Sequence, residues 1–322
     1  MGILVTGGAG YIGSHVCKYL KELGEEVIVV DNLETGYRDS VIADAFYELD
    51  IRDTDALIDV MKSHDIVGVI HFAAYSLVGV SMVKPYEYYD NNVVGTLSLL
   101  KAMQAAEVDN IVFSSTAATY GEPESVPIKE SDKTEPTNPY GETKLAMEKM
   151  MKWFDTAYGM KYVALRYFNA AGASKDMSLG ERHNPETHLI PLILQVPLGV
   201  RENISIFGTD YNTPDGTAIR DYIHVQDLAS AHYLALKYLL DGNGSDVFNL
   251  GNGSGFSVQE VIDTARAVTS HPIPSVEAER RAGDPEVLIA SSEKAQQVLG
   301  WEPKHSSLDE IIRDAWNYYN KN

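Results

Sequence analysis

Cysteine is nearly absent. Cys17 stands alone among 322 residues, so neither an internal disulfide nor a cysteine-built metal site can form. That scarcity suits a reducing, cytoplasmic setting. Cys17 lies in an apolar helical stretch with Ile12, Val16 and Leu20, which reads as core rather than as a nucleophile. Basic residues are also scarce: 26 Lys and Arg stand against 46 Asp and Glu, a formal charge of −20. Such a field repels nucleic acid and anionic membrane surfaces, which excludes both as expected partners. An anionic small ligand would need arginines gathered at its site. No apolar run is long enough to cross a bilayer. No leader is expected, because Met1-Gly2 runs straight into the strand-like Ile3-Leu4-Val5 with no basic segment before it.

What is present is an alternation of short β-branched runs with helical stretches. Strands are expected at 3–6, 26–31, 46–51, 67–72, 110–115 and 161–165. Helices are expected at 12–24, 54–64, 85–107 and 140–158. Strands that are apolar throughout, separated by helices, indicate a parallel sheet covered on both faces. The expected fold class is therefore α/β, a doubly wound parallel sheet. After about residue 170 glycine and proline become frequent. A smaller α/β domain for the substrate is placed at 171–322, after a dinucleotide-binding domain at 1–170. The chain is expected to return to the first domain around 220–250, with a helix at 225–240 and a strand at 246–250. A last helix is expected at 306–320.

The loop Gly7-Gly8-Ala9-Gly10-Tyr11-Ile12-Gly13 joins the first strand to the first helix. Glycines at 7, 10 and 13 let backbone approach a pyrophosphate, and the helix N-terminus offers N–H groups to the anion. A glycine pattern alone is weak evidence. Here it follows a strand, opens a helix and is followed, 18 residues after Gly13, by Asp31 at the end of strand two. An acidic residue there accepts hydrogen bonds from ribose hydroxyls and repels a 2′-phosphate, which favours NAD over NADP.

Tyr140 and Lys144 are spaced to share one helix face. A free tyrosine titrates at about 10, and a nearby ammonium favours the phenolate needed for base chemistry. Upstream, the strand 110–115 leads into Ser114-Ser115-Thr116. A hydroxyl at a strand's C-terminal end lies where doubly wound sheets bind ligands. A solvated helix face would account for the Tyr/Lys pair alone. With the glycine loop and the strand-end hydroxyls in order, hydride transfer accounts for more.

The chain resembles the extended short-chain dehydrogenases/reductases, and within them the UDP-hexose 4-epimerases. The likeness runs nearly end to end and rests on Val5-Thr6-Gly7-Gly8-Ala9-Gly10-Tyr11-Ile12-Gly13-Ser14-His15, Asp31-Asn32-Leu33, Tyr88-Tyr89-Asp90-Asn91-Asn92, Leu165-Arg166-Tyr167-Phe168-Asn169, Ile206-Phe207-Gly208, Arg220-Asp221-Tyr222-Ile223-His224-Val225 and Arg281-Ala282-Gly283-Asp284. The resemblance implies interconversion of UDP-glucose and UDP-galactose through a 4-keto sugar, with NAD retained and recycled. It implies Tyr140 as the base, helped by Thr116, with Lys144 on the nicotinamide ribose. Asp31 and Asn32 would hold the adenosine end, and Asp50 and Ile51 would flank the adenine. Phe72, Ala73 and Ala74 would line the groove, with Asn91, Ser114 and Tyr167 on the nicotinamide side. Asn169, Leu189, Phe207, Arg220, Tyr222, Arg281 and Asp284 would hold UDP, with His188 as a loop contact. The family pairs its equivalents of helices 85–107 and 140–158 into a homodimer. Here Leu97, Leu100, Met103, Met147, Met150, Met151 and Phe154 could equally be internal core.

Two positions depart from the family. Ser76 stands where many relatives carry a lysine beside the cofactor groove, which removes one phosphate contact. Leu288 stands where some relatives carry tyrosine, which leaves room for N-acetylated sugars. A 4-epimerase of UDP-N-acetylhexosamines or of UDP-pentoses is therefore the alternative. A 4,6-dehydratase needs an acid and a base just after the strand-end threonine, and Ala117 and Ala118 supply neither. A non-catalytic NAD-binding scaffold would have no use for Thr116, Tyr140 and Lys144 together. The nine histidines show no metal-ligand spacing, with His183 and His188 five apart, so no metal is expected.

Overall fold

The computed structural model describes residues 1–281 and 285–321. Strand β1 (Gly2–Thr6) leads through the glycine loop to α1 (Tyr11–Glu22), followed by β2 (Glu26–Asp31) and β3 (Ala45–Glu48). Next come α2 (Thr54–Ser63), β4 (Ile66–His71) and two single turns, α3 (Val78–Ser81) and α4 (Pro85–Tyr88). A wide π-helical stretch, Tyr89–Val94, leads into α5 (Gly95–Ala105). Then follow β5 (Asn110–Ser114), α6 (Pro139–Tyr158), β6 (Lys161–Tyr167) and β7 (Asn169–Ala171). The later chain forms α7 (Leu189–Leu194), β8 (Ile204–Phe207), β9 (Ile219–Arg220), β10 (Tyr222–His224), α8 (Val225–Leu240) and β11 (Asp246–Leu250). It ends with β12 (Phe256–Ser257), α9 (Val258–Thr269), β13 (Ser275–Ala278), β14 (Val287–Leu288), α10 (Glu293–Leu299) and α11 (Leu308–Tyr319).

Seven strands form one parallel sheet in the order β11-β6-β5-β4-β1-β2-β3. The order reverses at β1, as in doubly wound folds. Alternate strand residues feed two cores. Ile3, Val5, Val27 and Val29 pack with α1 and α8, while Leu4, Ile28 and Val30 pack with α2, α5 and α6. Both faces are thus covered, which is why the strands lack a polar side. The returning segment α8–β11 completes this sheet beside β6, and Trp301 joins the first core. A third core lies between α7, α9 and α11.

Two expected elements differ. The strand expected at 46–51 stops at Glu48, because Asp50 accepts the Arg52 N–H at 2.8 Å and Asp53 caps α2 through the Ala56 N–H. The single helix expected over 85–107 is broken by the π-helical stretch, whose wide turn sends Asn92 inward. Asn92 accepts from the Tyr75 N–H at 2.8 Å and donates to the Tyr75 carbonyl and the Thr143 hydroxyl. That network locks the loop after β4 onto α6. Among the described residues no helix is long and apolar enough to cross a membrane. The small paired strands after residue 168 (β7 with β10, β8 with β13, and β12-β9-β14) were not visible as periodic segments.

Candidate active site

The glycine loop is packed so tightly that side chains cannot enter it. A Cβ on Gly13 would lie 2.2 Å from the Gly7 carbonyl oxygen. Gly7 adopts φ +77°, and a Cβ there would lie 2.6 Å from the Ala73 nitrogen. No side chain caps the N-terminus of α1, so its first-turn N–H groups remain available to an anion. The Tyr11 hydroxyl donates to the Gly172 carbonyl at 2.7 Å, so this residue faces the groove through its backbone. The buried Asp31 carboxylate accepts from the Ala9 N–H at 3.0 Å and the Leu33 N–H at 2.8 Å. Burial pushes its pKa up, opposed by those two N–H groups. Phe72 and Ala73 N–H groups both donate to the Thr6 carbonyl, which seats the groove wall beside the glycines. These features form a cradle of the kind a dinucleotide pyrophosphate and ribose occupy.

Around that cradle, Arg52 forks onto Asp50 and also reaches Asp90, and Asn32 donates to Asp50 at 3.3 Å. The Arg52 hydrogen bonds hold the Asp50 carboxyl down at about 2. Ile51 is buried in the second core. Ala74 is half-buried between the Ala73 wall and Tyr75. Asn91 is buried and donates to Asn92 at 3.1 Å. Ser76 is exposed in the loop that follows.

The reacting groups converge where β5 meets α6. Asn138 caps α6 by accepting from the Gly141 N–H at 2.9 Å, with Pro139 at the first helical position. Tyr140 is half-buried and Lys144 fully buried on one face of the helix. The Lys144 Nζ donates to the Ser114 carbonyl at 2.8 Å and sits 6.0 Å from the Tyr140 ring centre. The Ser114 and Tyr167 hydroxyls share a hydrogen bond. Thr116 caps the short turn Ala117–Thr119 by accepting from the Ala118 N–H at 3.1 Å.

Two influences act on the Tyr140 hydroxyl. Burial raises the Tyr140 hydroxyl, and the Thr116 hydroxyl pulls it part of the way back. The cost of burial falls on the lysine as well, which desolvation lowers to about 7, with Glu148 opposing. Glu148 was not singled out from sequence. It continues the Tyr140–Lys144 face by another four residues, accepts from the buried Arg166 on β6, and accepts from the Ser115 hydroxyl. The i, i+4, i+8 spacing was the available signal.

The nucleotide side forms from short strand pairs. Register places Tyr222 beside Asn169 and Leu288 beside Arg220. The Asn169 side chain donates to the Asp221 carbonyl at 2.9 Å. The Arg220 guanidinium donates to the Ile219 carbonyl, and the Arg281 guanidinium lies 5.1 Å from the Phe207 ring centre. Both guanidiniums act on the Tyr222 hydroxyl, opposing the rise that burial imposes. The two arginines therefore concentrate positive charge at one place in an acidic protein, as an anionic ligand requires. Leu189 opens α7 and packs on the third core. Leu288 and Phe168 pack on the small cluster of Ala117, Tyr120 and Ile128, next in the chain to the strand-end threonine. Asp284 lies outside the described residues.

The exposed His188 ring turns to the Glu181 carboxylate. In the same loop His183 and His188 meet two carboxylates, Glu181 and Glu186, brought together by the fold of residues 181–188.

The family model described as NAD dependent epimerase/dehydratase family matches residues 3–251. The chain is 61% identical over 319 residues to the UDP-glucose 4-epimerase of Halalkalibacterium halodurans, covering 99% of this chain and 96% of that one. A crystal structure of UDP-glucose 4-epimerase superposes with a TM-score of 0.98 at 56% identity, covering 100% of this chain and 98% of that one. The UDP-glucose 4-epimerase of Brucella ovis in complex with NAD superposes with a TM-score of 0.97 at 47% identity, covering 99% of this chain and 98% of that one. With a glycine cradle, a strand-end threonine and a Tyr/Lys helix face in place, and with likeness from end to end, this chain belongs to the NAD dependent epimerase/dehydratase family, among its UDP-glucose 4-epimerases.

Proposed function

We propose that the protein interconverts UDP-glucose and UDP-galactose by reversible oxidation at C4 of the sugar. The observation that carries this reading is the meeting of Thr116, Tyr140 and Lys144 at the C-terminal edge of the parallel sheet, beside a cradle shaped for a dinucleotide. Bound NAD supplies a two-electron acceptor that returns what it takes, so the reaction has no net redox. Tyr140 takes the proton from the 4′-hydroxyl, and Thr116 holds that hydroxyl in line. Lys144, fixed by the Ser114 carbonyl, binds the ribose and places positive charge beside the tyrosine. Asp31 and Asn32 hold the adenosine end, with Asp50, Ile51, Phe72, Ala73 and Ala74 around it. Asn169, Leu189, Phe207, Arg220, Tyr222 and Arg281 hold UDP, so the 4-keto sugar can turn without leaving. The cofactor sits on residues 1–170 with the returning segment, and the sugar nucleotide on the later chain. Turnover of UDP-galactose to UDP-glucose tests this. The wild type is expected to convert it, and Tyr140→Phe is expected to bind NAD but lose about 10²- to 10⁴-fold in rate, the usual contribution of a general base. Full activity in that variant refutes the role of Tyr140.

A homodimer across α5 and α6 is part of this reading. Leu100, Met103, Met147 and Met151 are buried in the second core, but Leu97 is exposed, as are Val94, Trp153 and Tyr158. Trp153 alone is 67% exposed. Such an apolar strip on neighbouring helices of a highly charged protein suits a second copy of the chain. The cytoplasm is the setting we infer, since the one cysteine is a buried free thiol.

A further inference from the structure

The segment 181–188, which leads into α7, carries four metal-ligating side chains. One ligand atom each from Glu181, His183, Glu186 and His188 lies within 4.8 Å of the others. The Glu181 and Glu186 side chains are only 4% and 8% exposed. The His183 Nδ1 stands 3.1 Å from Glu181 and 3.6 Å from Glu186, yet this buried nitrogen makes no hydrogen bond of acceptable geometry. The two imidazole rings are perpendicular, with centres 5.1 Å apart. Two carboxylates and two imidazoles thus point at one small volume. A cavity lined in part by Glu181, His183 and Glu186 opens beside it and gives an entry path.

We propose that Glu181, His183, Glu186 and His188 form a structural site for a divalent transition metal, with zinc as the ion of best fit. A mixed set of two nitrogens and two carboxylate oxygens matches zinc's ligand preference, and four protein ligands close the tetrahedron. Zinc bonds of about 2.0 to 2.2 Å set tetrahedral ligand atoms about 3.4 Å apart, so the widest pairs must close in and the His188–Glu181 contact must open, both within reach of side-chain rotation. Bound there, the ion would face both carboxylates with its own charge.

The surroundings show what the ion would fasten. The Tyr319 hydroxyl of α11 donates to the Glu181 carbonyl at 2.7 Å, and Tyr11 of the glycine loop meets the His183 ring edge-on at 6.3 Å. Arg182 forks onto Asp39, just after Tyr37, whose N–H donates to the Ala9 carbonyl of the glycine loop. His188 immediately precedes α7 and Leu189. A metal here ties the loop that presents the nucleotide-side residues to both the cofactor loop and the C-terminal helix.

The test uses the holoenzyme with its NAD, freed of metal by a chelator and titrated with zinc chloride alone. Calorimetry is expected to show one zinc per chain. Cobalt(II) in place of zinc is expected to give the visible bands of a four-coordinate site. His183→Gln and Glu186→Gln are each expected to weaken zinc binding by about 100-fold or more, while bound NAD absorbance and far-ultraviolet dichroism report that both remain folded. Substoichiometric zinc, or wild-type affinity in both folded variants, overturns the proposal.

Discussion

Replacing Lys144 by methionine removes an ammonium that folding carries out of water. The side chain is 3% exposed, and desolvation lowers its pKa from 10.5 to about 7. Each tenfold change in proton affinity corresponds to about 1.4 kcal/mol, so the penalty amounts to about 5 kcal/mol. Because the folded pKa lies below the unfolded one, the unfolded chain binds the proton more tightly. The penalty is full below about pH 7 and fades as pH rises towards 10.5, where both states are neutral. Methionine carries no such penalty but leaves the Ser114 carbonyl without its donor, a loss of about 1 to 3 kcal/mol. Lys144→Met is therefore expected to be more stable than the wild type at about pH 6, and that advantage should shrink by about 4 kcal/mol by about pH 10. Urea midpoints of cofactor-free wild type and variant at the two pH values read this directly. Turnover is lost in the same variant. A stability difference that does not change with pH, or a variant less stable at about pH 6, refutes the reasoning.

Two further perturbations follow from the same site. Glu148→Gln strips the buried Arg166 of its charge partner and is expected to cost about 3 to 5 kcal/mol in urea denaturation; a loss below about 1 kcal/mol would mean that Arg166 reaches water. Ser76→Lys adds a cation to the exposed loop after β4, where related epimerases are expected to hold a cofactor phosphate, and dialysis should then remove NAD more slowly than from the wild type; unchanged retention would place residue 76 out of reach of the phosphates.

The parts of the site legible in the sequence are those whose geometry is local. The glycine loop, Asp31 and the Tyr140–Lys144 face each depend on one turn, one strand end or one helix period, and the structure places them together. Glu148 escaped notice because its role is set by Arg166 on β6 and Ser115 after β5, partners distant in the chain. Asn92 was legible only as part of a family pattern, since its bonds to Tyr75 and Thr143 require the π-helical turn. The histidine spacing in 181–188 carried no metal signal because the loop, not a helix, brings the four groups together. The rise in the Tyr140 pKa also lay beyond sequence, since it depends on how deeply the hydroxyl is buried. The nucleotide side rests on strands of two or three residues, too short for periodicity to reveal.

The central claim is that hydrogen leaves C4 of the sugar and returns to it without meeting water. Purified protein, with no NAD added, can be given UDP-galactose carrying deuterium at C4 of the galactose. The account predicts UDP-glucose that retains deuterium at C4, with no reduced nicotinamide accumulating at equilibrium. Product with the label exchanged for solvent hydrogen would contradict it.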